Sequence, residues 1–388
     1  MATRAQALPV GRLLAFTTAG FLAIMTETMP AGLLPQIGHG LGIGEALAGQ
    51  MLTLYAIGSV VAAIPVIAAT RSWNRRLLLL LAIGGLFVFN SVTALSTQVA
   101  VTLAARFVAG MAAGVVWGLL AGYARRLAPA HLQGRALAIA GIGQPIALAL
   151  GVPLGAWLGA LFDWRAVFWI MSAVALLLLA WIRFGIPDHP GQGRAARLPV
   201  TRVAALPGIA PVLIVLLLWI TGHNILYTYI APFLAIAAPN VRVDVVLLLF
   251  GLAACGGIWG VGLLVDRQLR VTLLVSLTGF AASALILAVA APSSLLVLAG
   301  VVAWGLTFGG APTLLQTALA EAAGEHADVA QSILVTVFNL AVAAGGIVGG
   351  LLVDHGQPLW LPWAVLVLAV AALAAARTIR QWRKGHEQ

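Results

Sequence analysis

The sequence predicts an all-α membrane protein: twelve transmembrane helices in two pseudo-symmetric six-helix bundles, with both termini cytoplasmic. Three observations carry that expectation. Of the 388 residues, 62% are hydrophobic and only 8% charged, with a mean hydropathy of +1.06, whereas a soluble domain carries about 25% charged residues. Apolar runs long enough to cross about 30 Å of hydrocarbon recur along the whole chain, leaving no room for a sizeable soluble domain. The cations also partition: with both termini inside, 18 of the 21 Lys and Arg fall on one side, Arg165 and Arg242 flank loops on the other, and Arg106 lies inside a span. The net charge of +10 therefore reports membrane orientation rather than a nucleic-acid partner.

Taken in order, the first run, 13 to 37, lacks a small-residue cleavage site and continues past Glu27 toward Pro35, so it reads as a retained span and not a signal peptide. Runs at 47 to 69, 77 to 96 and 98 to 123 follow. Span five, 135 to 160, holds Pro145 and Pro153 with Gly151, Gly155 and Gly159; proline removes a backbone bond and glycine admits a neighbouring helix, so a kink and a close-packed face are expected at a seam between halves. Span six is 165 to 186. The polar, basic stretch PDHPGQGRAARLPVTRVAALP, 187 to 207, reads as a cytoplasmic linker between an N-terminal bundle, 1–186, and a C-terminal bundle, 208–388. Spans 208 to 236, 243 to 265, 271 to 291, 295 to 319, 329 to 353 and 358 to 377 complete the second.

The halves echo one another. TRSWNRR after span two corresponds to Asp266-Arg267 after span eight, and GVPLG to GGIVGG; adding about 196 to Glu27 reaches His223. Two related bundles enclosing a central cavity follow from this. The single cysteine, Cys255, excludes an intrachain disulfide and a thiolate metal cluster and reads as a small packing residue.

Of the eleven acidic residues, only Glu27 lies deep in a span. An isolated ionised carboxylate there costs several kcal/mol, so it must be neutral, paired or facing water. Its candidate partner is Arg106, since both lie roughly 15 Å from the same membrane face. The pair either exchanges a proton each cycle or permanently staples spans one and four. His223, Asn224 and Tyr227 share one helical turn and offer hydrogen bonds and a flat ring to hydroxyl-bearing or aromatic cargo. Gln144, Gln316 and Asn339 read as buried amides that either touch cargo or glue helices. Trp117 and Trp304 either wall the cavity or pack between helices. No GxxxxGK[ST] loop, HExxH or metal-spaced Cys/His set is present, so ATP drive and catalysis are not expected.

RFVAGMAAG (Arg106 to Gly114) is similar to the intramembrane arginine motif of the major facilitator superfamily. ALGVPLGAWLG (Ala149 to Gly159) looks like the glycine-proline motif of its drug/proton antiporter branch, and GLLVDR (Gly262 to Arg267) like its G-x-x-x-D-R gating motif. With TETMPAGLLPQI, AGQMLTLYAIG, TGHNILYTYIAPF and DVAQSILVTVFN, the whole chain resembles bacterial sugar-efflux and arabinose-efflux-like permeases, whose relatives include purine nucleoside and chloramphenicol exporters.

The resemblance implies a proton-coupled antiporter of the bacterial inner membrane. It would export a sugar, nucleoside or drug by alternating access, as a monomer driven by the proton gradient without a cofactor. A proton-coupled or facilitative importer stays open as the alternative. Gly262, Asp266, Arg267, Arg71, Gly151, Pro153 and Gly155 are the implied gate and hinge. The chain departs from the motif after span two, where Val66 and Thr70 stand at the positions matching Gly262 and Asp266. The first-half gate is thus expected to lack an aspartate's contacts and to leave closure to Asp266.

Overall fold

The computed structural model describes residues 8–63, 65–70, 72–190 and 200–379. Arg71, one of the gate candidates, lies outside them, as do Arg194 and Arg197 of the linker.

The chain folds into apolar helices whose backbone groups bond internally, the solution a lipid environment requires. The first crossing is α1 (Val10–Thr28), a 3-10 turn at Met29–Leu33 and α2 (Leu34–Leu41). Gly42, at φ +66°, turns the chain; this end of the bundle is the Gly42 end. The second crossing, α3 (Glu45–Ala63) and α4 (Pro65–Ala69), reaches the opposite, Asn74 end. There the Asn74 side chain caps α5 (Arg75–Leu95) by accepting from the Arg76 and Leu77 amides, at 3.1 and 3.2 Å. α6 (Val99–Leu127) returns, and α7 (Gln133–Gly141), α8 (Gly143–Ile146) and α9 (Val152–Leu161) make the fifth crossing. α10 (Trp164–Gly185), capped by Asp163, is the sixth.

After the short α11 (Val200–Ala204), the seventh crossing is α12 (Ile209–Thr228) with α13 (Ile230–Ala237). α14 (Val243–Val289) follows, then α15 (Ser294–Phe308) with α16 (Ala311–Ala323), α17 (Ala327–Asp354) and α18 (Leu361–Arg377). Eleven segments among the described residues are long and apolar enough to cross a membrane, one fewer than the sequence predicts. The difference lies in α14. Its 47 residues span about 70 Å, enough for two crossings, and Gln268, at φ −140° and ψ 40°, interrupts it between the predicted spans eight and nine. The first crossing runs from Val10 to Leu41, wider than predicted. Cys255 is exposed rather than packed.

Candidate functional site

The break in the first crossing creates the site. Proline has no N–H, so Pro30 leaves the Thr26 carbonyl without its helical donor four residues on. Arg106 supplies that donor: its Nη2 bonds the Thr26 carbonyl, and its Nε reaches the Met51 carbonyl at 3.5 Å. The guanidinium lies 4.8 Å from the Tyr55 ring centroid and 5.7 Å from that of Phe168. Gly110 makes this approach possible, because a Cβ there would enter the Tyr55 carbonyl of α3. Thr26 Oγ1 also accepts from Asn90 Nδ2 at 3.0 Å.

Glu27 is buried beside this cluster, 7% exposed. Arg106 holds the carbonyl of Thr26, the residue before Glu27. The two form no direct ion pair, so the permanent staple weighed from sequence is made differently: Arg106 ties α6 to backbone carbonyls of α1 and α3. Arg106 Nη1 and Asn90 Oδ1 are left buried without a partner. The centre thus holds a carboxylate beside an arginine that is engaged with backbone carbonyls.

The second half answers with rings. Trp304 Nε1 donates to His223 Nδ1 at 3.2 Å, and the imidazole stacks on Phe308 with centroids 3.6 Å apart and planes 4° from parallel. Tyr227 lies 5.2 Å from His223, and Phe250 4.5 Å from Trp304. The sequence candidates His223, Tyr227 and Trp304 are therefore one cluster. Asn224 and Asn339 are buried too, each amide donating to its own helix, at the Ile220 and Val335 carbonyls. Gln144 and Trp117 are only half-buried, and Gln316 is exposed, against expectation. Leu314, Leu315 and Leu319 take the packed face of α16 and turn Gln316 away.

The Tyr227 hydroxyl is buried and without a partner among the described residues. α12 ends at Thr228 as α1 ends at Thr28, so on the helix breaks the counterpart of Glu27 is Tyr227, one turn beyond His223.

The glycine face of the fifth crossing does not form the seam between halves. Cβ atoms at Gly151, Gly155 and Gly159 would run into Met25, Met29 and Leu33 of the first crossing. Ala149 instead meets the other half, pressed against Gly251 of α14. Pro153 denies the Ala149 carbonyl its donor, and the backbone there widens into a π-helical stretch, Ala147–Gly151. Gly262, Asp266 and Arg267 are exposed at the Asn74 end; neither charged side chain has a partner among the described residues.

Sequence reasoning missed the polar contact that joins the halves at the Gly42 end. Gln50 Nε2 donates to the Tyr229 hydroxyl at 3.2 Å and to the Gly346 carbonyl at 3.3 Å, and Tyr229 donates to Gly346 at 2.9 Å. Gly49, Gly346, Gly349 and Gly350 leave no room for a Cβ against Tyr229, Thr53 or Gln50. The G-x-x-x-G spacing in GGIVGG was the available signal. The two surface clefts also lie at this end, around Gln36, and none of the predicted cavity residues lines them.

Twelve crossings, a buried carboxylate where the halves meet and a polar seal at one end define a polytopic membrane transporter. The family profile described as Major Facilitator Superfamily matches residues 16–331, and the chain belongs to that superfamily. It is 31% identical to the transcription regulatory protein OpdE of Pseudomonas aeruginosa, over 95% of this chain and 93% of that one. It is 30% identical to a chloramphenicol efflux pump of Mycobacterium tuberculosis, over 91% and 88%. The purine ribonucleoside efflux pump NepI of Escherichia coli O157:H7 is 28% identical, over 91% and 90%. Among solved structures, a bacterial homologue of the human lysosomal transporter Spinster, described as inward-facing and unoccupied, superposes with a TM-score of 0.71 at 15% identity, covering 97% of this chain and 99% of that one. The chain is a multi-pass transporter of a bacterial inner membrane and not an enzyme.

Proposed function

We propose that the protein is a proton-coupled efflux transporter, working as a monomer without a cofactor and exporting a small polar or amphipathic molecule. The observation that carries this is Glu27: a buried carboxylate with no ion-pair partner among the described residues, next to the Thr26 carbonyl that Arg106 holds. Such a group exchanges a proton when its surroundings change. The named cargoes of the relatives, chloramphenicol and purine ribonucleosides, make an aromatic or hydroxyl-bearing molecule the first to test, and the rings around His223 suit one.

With both termini cytoplasmic, the Gly42 end faces outside, and the Gln50–Tyr229 contacts hold the outer gate shut. Cargo enters from the Asn74 end between the halves 1–186 and 208–388. A proton reaching Glu27 from outside favours return of the carrier, because the two states differ in affinity for proton and cargo. Gly262, Asp266 and Arg267, with Arg71 opposite them in the repeat, form the inner gate. The π-helical stretch Ala147–Gly151, with Pro153 and Gly155 just beyond it, is the hinge.

Inside-out vesicles given an imposed proton gradient and a panel of labelled chloramphenicol, purine nucleosides and sugars test this reading. Gradient-driven accumulation supports export; movement only down the cargo gradient supports a facilitator. The name of the Pseudomonas relative favours a second reading, a membrane regulator, and no movement of any compound would support it.

A further inference from the structure

The two repeat-related turns at the Asn74 end are built differently. The second-half turn carries its own carboxylate, Asp266, exposed and without a partner among the described residues. The first-half turn has Thr70 at the matching position, and the Thr70 hydroxyl donates to the Val66 carbonyl of its own helix, at 2.6 Å. Five arginines crowd this end of the first half in sequence, Arg71, Arg75, Arg76, Arg125 and Arg126. Like charges on two adjacent turns repel, so an arrangement that holds them together needs an anion.

A carboxylate comes from the chain leaving α10. Asn74, while capping α5 through Oδ1, donates through Nδ2 to Asp188 Oδ2. The residues around Asp188 are laid across both turns. The Arg75 amide bonds the His189 carbonyl at 2.9 Å, and Arg76 Nη1 the Ile186 carbonyl at 3.4 Å. The buried Tyr123 hydroxyl donates to the Pro187 carbonyl at 2.7 Å, and Arg126 Nη1 to that of Pro190 at 3.0 Å. The Tyr123 ring meets His189 edge-on, with centroids 5.6 Å apart.

We infer that Ile186–Pro190 is a strap belonging to the first half, and that Asp188 is its positioning residue, standing in for the carboxylate absent at position 70. The strap ties the turn after the second crossing to the end of α6, and α6 carries Arg106. It thereby fixes the N-terminal side of the inner gate. This role does not depend on which cargo moves or on whether protons drive it.

Backbone hydrogen exchange of the full-length protein in nanodiscs, without cargo, tests it. Asp188→Asn is expected to speed exchange about five-fold in peptides covering 72–77, where the Arg75 amide donates to the strap, and to speed limited proteolysis within 186–190 by a similar factor, the order expected when one exposed charge-assisted hydrogen bond becomes a neutral one. Asp188→Glu should restore protection in both. Adding Thr70→Asp to Asp188→Asn should restore the 72–77 turn and leave the strap loose, a separation that a purely structural loss would not produce. Unchanged exchange in Asp188→Asn, or no recovery of the turn with Thr70→Asp, overturns the inference. Neither outcome bears on the proton-coupled reading, which the vesicle assay decides.

Discussion

At matching breaks in the first and seventh crossings, the halves place opposite kinds of chemistry. Around Thr28 the centre is polar and incompletely matched: among the described residues the Glu27 carboxylate forms no ion pair, and Arg106 Nη1 and Asn90 Oδ1 lack partners. Around Thr228 the centre is ring on ring, with His223 held by both Trp304 and Phe308. A mismatched polar cluster is costly to keep and sensitive to a proton, whereas a stacked cluster is stable and selects by shape. On the proposed function, the first half carries the energy coupling and the second the cargo recognition.

The largest expected effect comes from Arg106→Ala. It orphans the Thr26 carbonyl that Pro30 already deprives of a donor and empties the space between α1, α3 and α6, so a loss of about 3 kcal/mol or more is expected. A thermal-shift measurement in detergent would show it, and an unchanged melting temperature would break the polar side of the comparison. Next, Trp304→Phe keeps a ring in place but removes the bond to His223. Affinity for an aromatic cargo should fall about five- to ten-fold, the worth of one hydrogen bond, while the dependence of transport on the proton gradient stays. A lost proton dependence instead would erase the division of labour. The smallest effect belongs to Tyr227→Phe. Removing a buried, unpartnered hydroxyl should leave the melting temperature unchanged or slightly raised. A marked fall would mean that the hydroxyl is bonded in the resting protein.

Much of this was legible in the sequence, for physical reasons. Hydropathy and the arginine partition gave the crossings, since the bilayer fixes both, and scarcity of charge made Glu27 and Arg106 conspicuous. The spacing of HNILYTY brought out His223 and Tyr227. The misses concern direction rather than presence. Glycines at 151, 155 and 159 announce close packing but not against which helix, and they turn inward to Met25, Met29 and Leu33. Gln316 looks like its neighbours in sequence, but its exposure depends on which face the leucines claim. Asp188 sits in a loop whose path no periodicity predicts, so the first-half turn seemed to lack a carboxylate that the fold supplies from the linker. Tyr229 and Gln50 are ordinary residues until four glycines bring the backbones together.

The assignment of the proton to Glu27 is tested most directly by Glu27→Gln in proteoliposomes, with two modes of transport measured on the same preparation. Accumulation driven by an imposed proton gradient should disappear, while exchange of labelled for unlabelled cargo persists, because glutamine keeps the shape and hydrogen bonding of a protonated glutamate but cannot release a proton. Gradient-driven accumulation at the wild-type rate in Glu27→Gln would contradict the account.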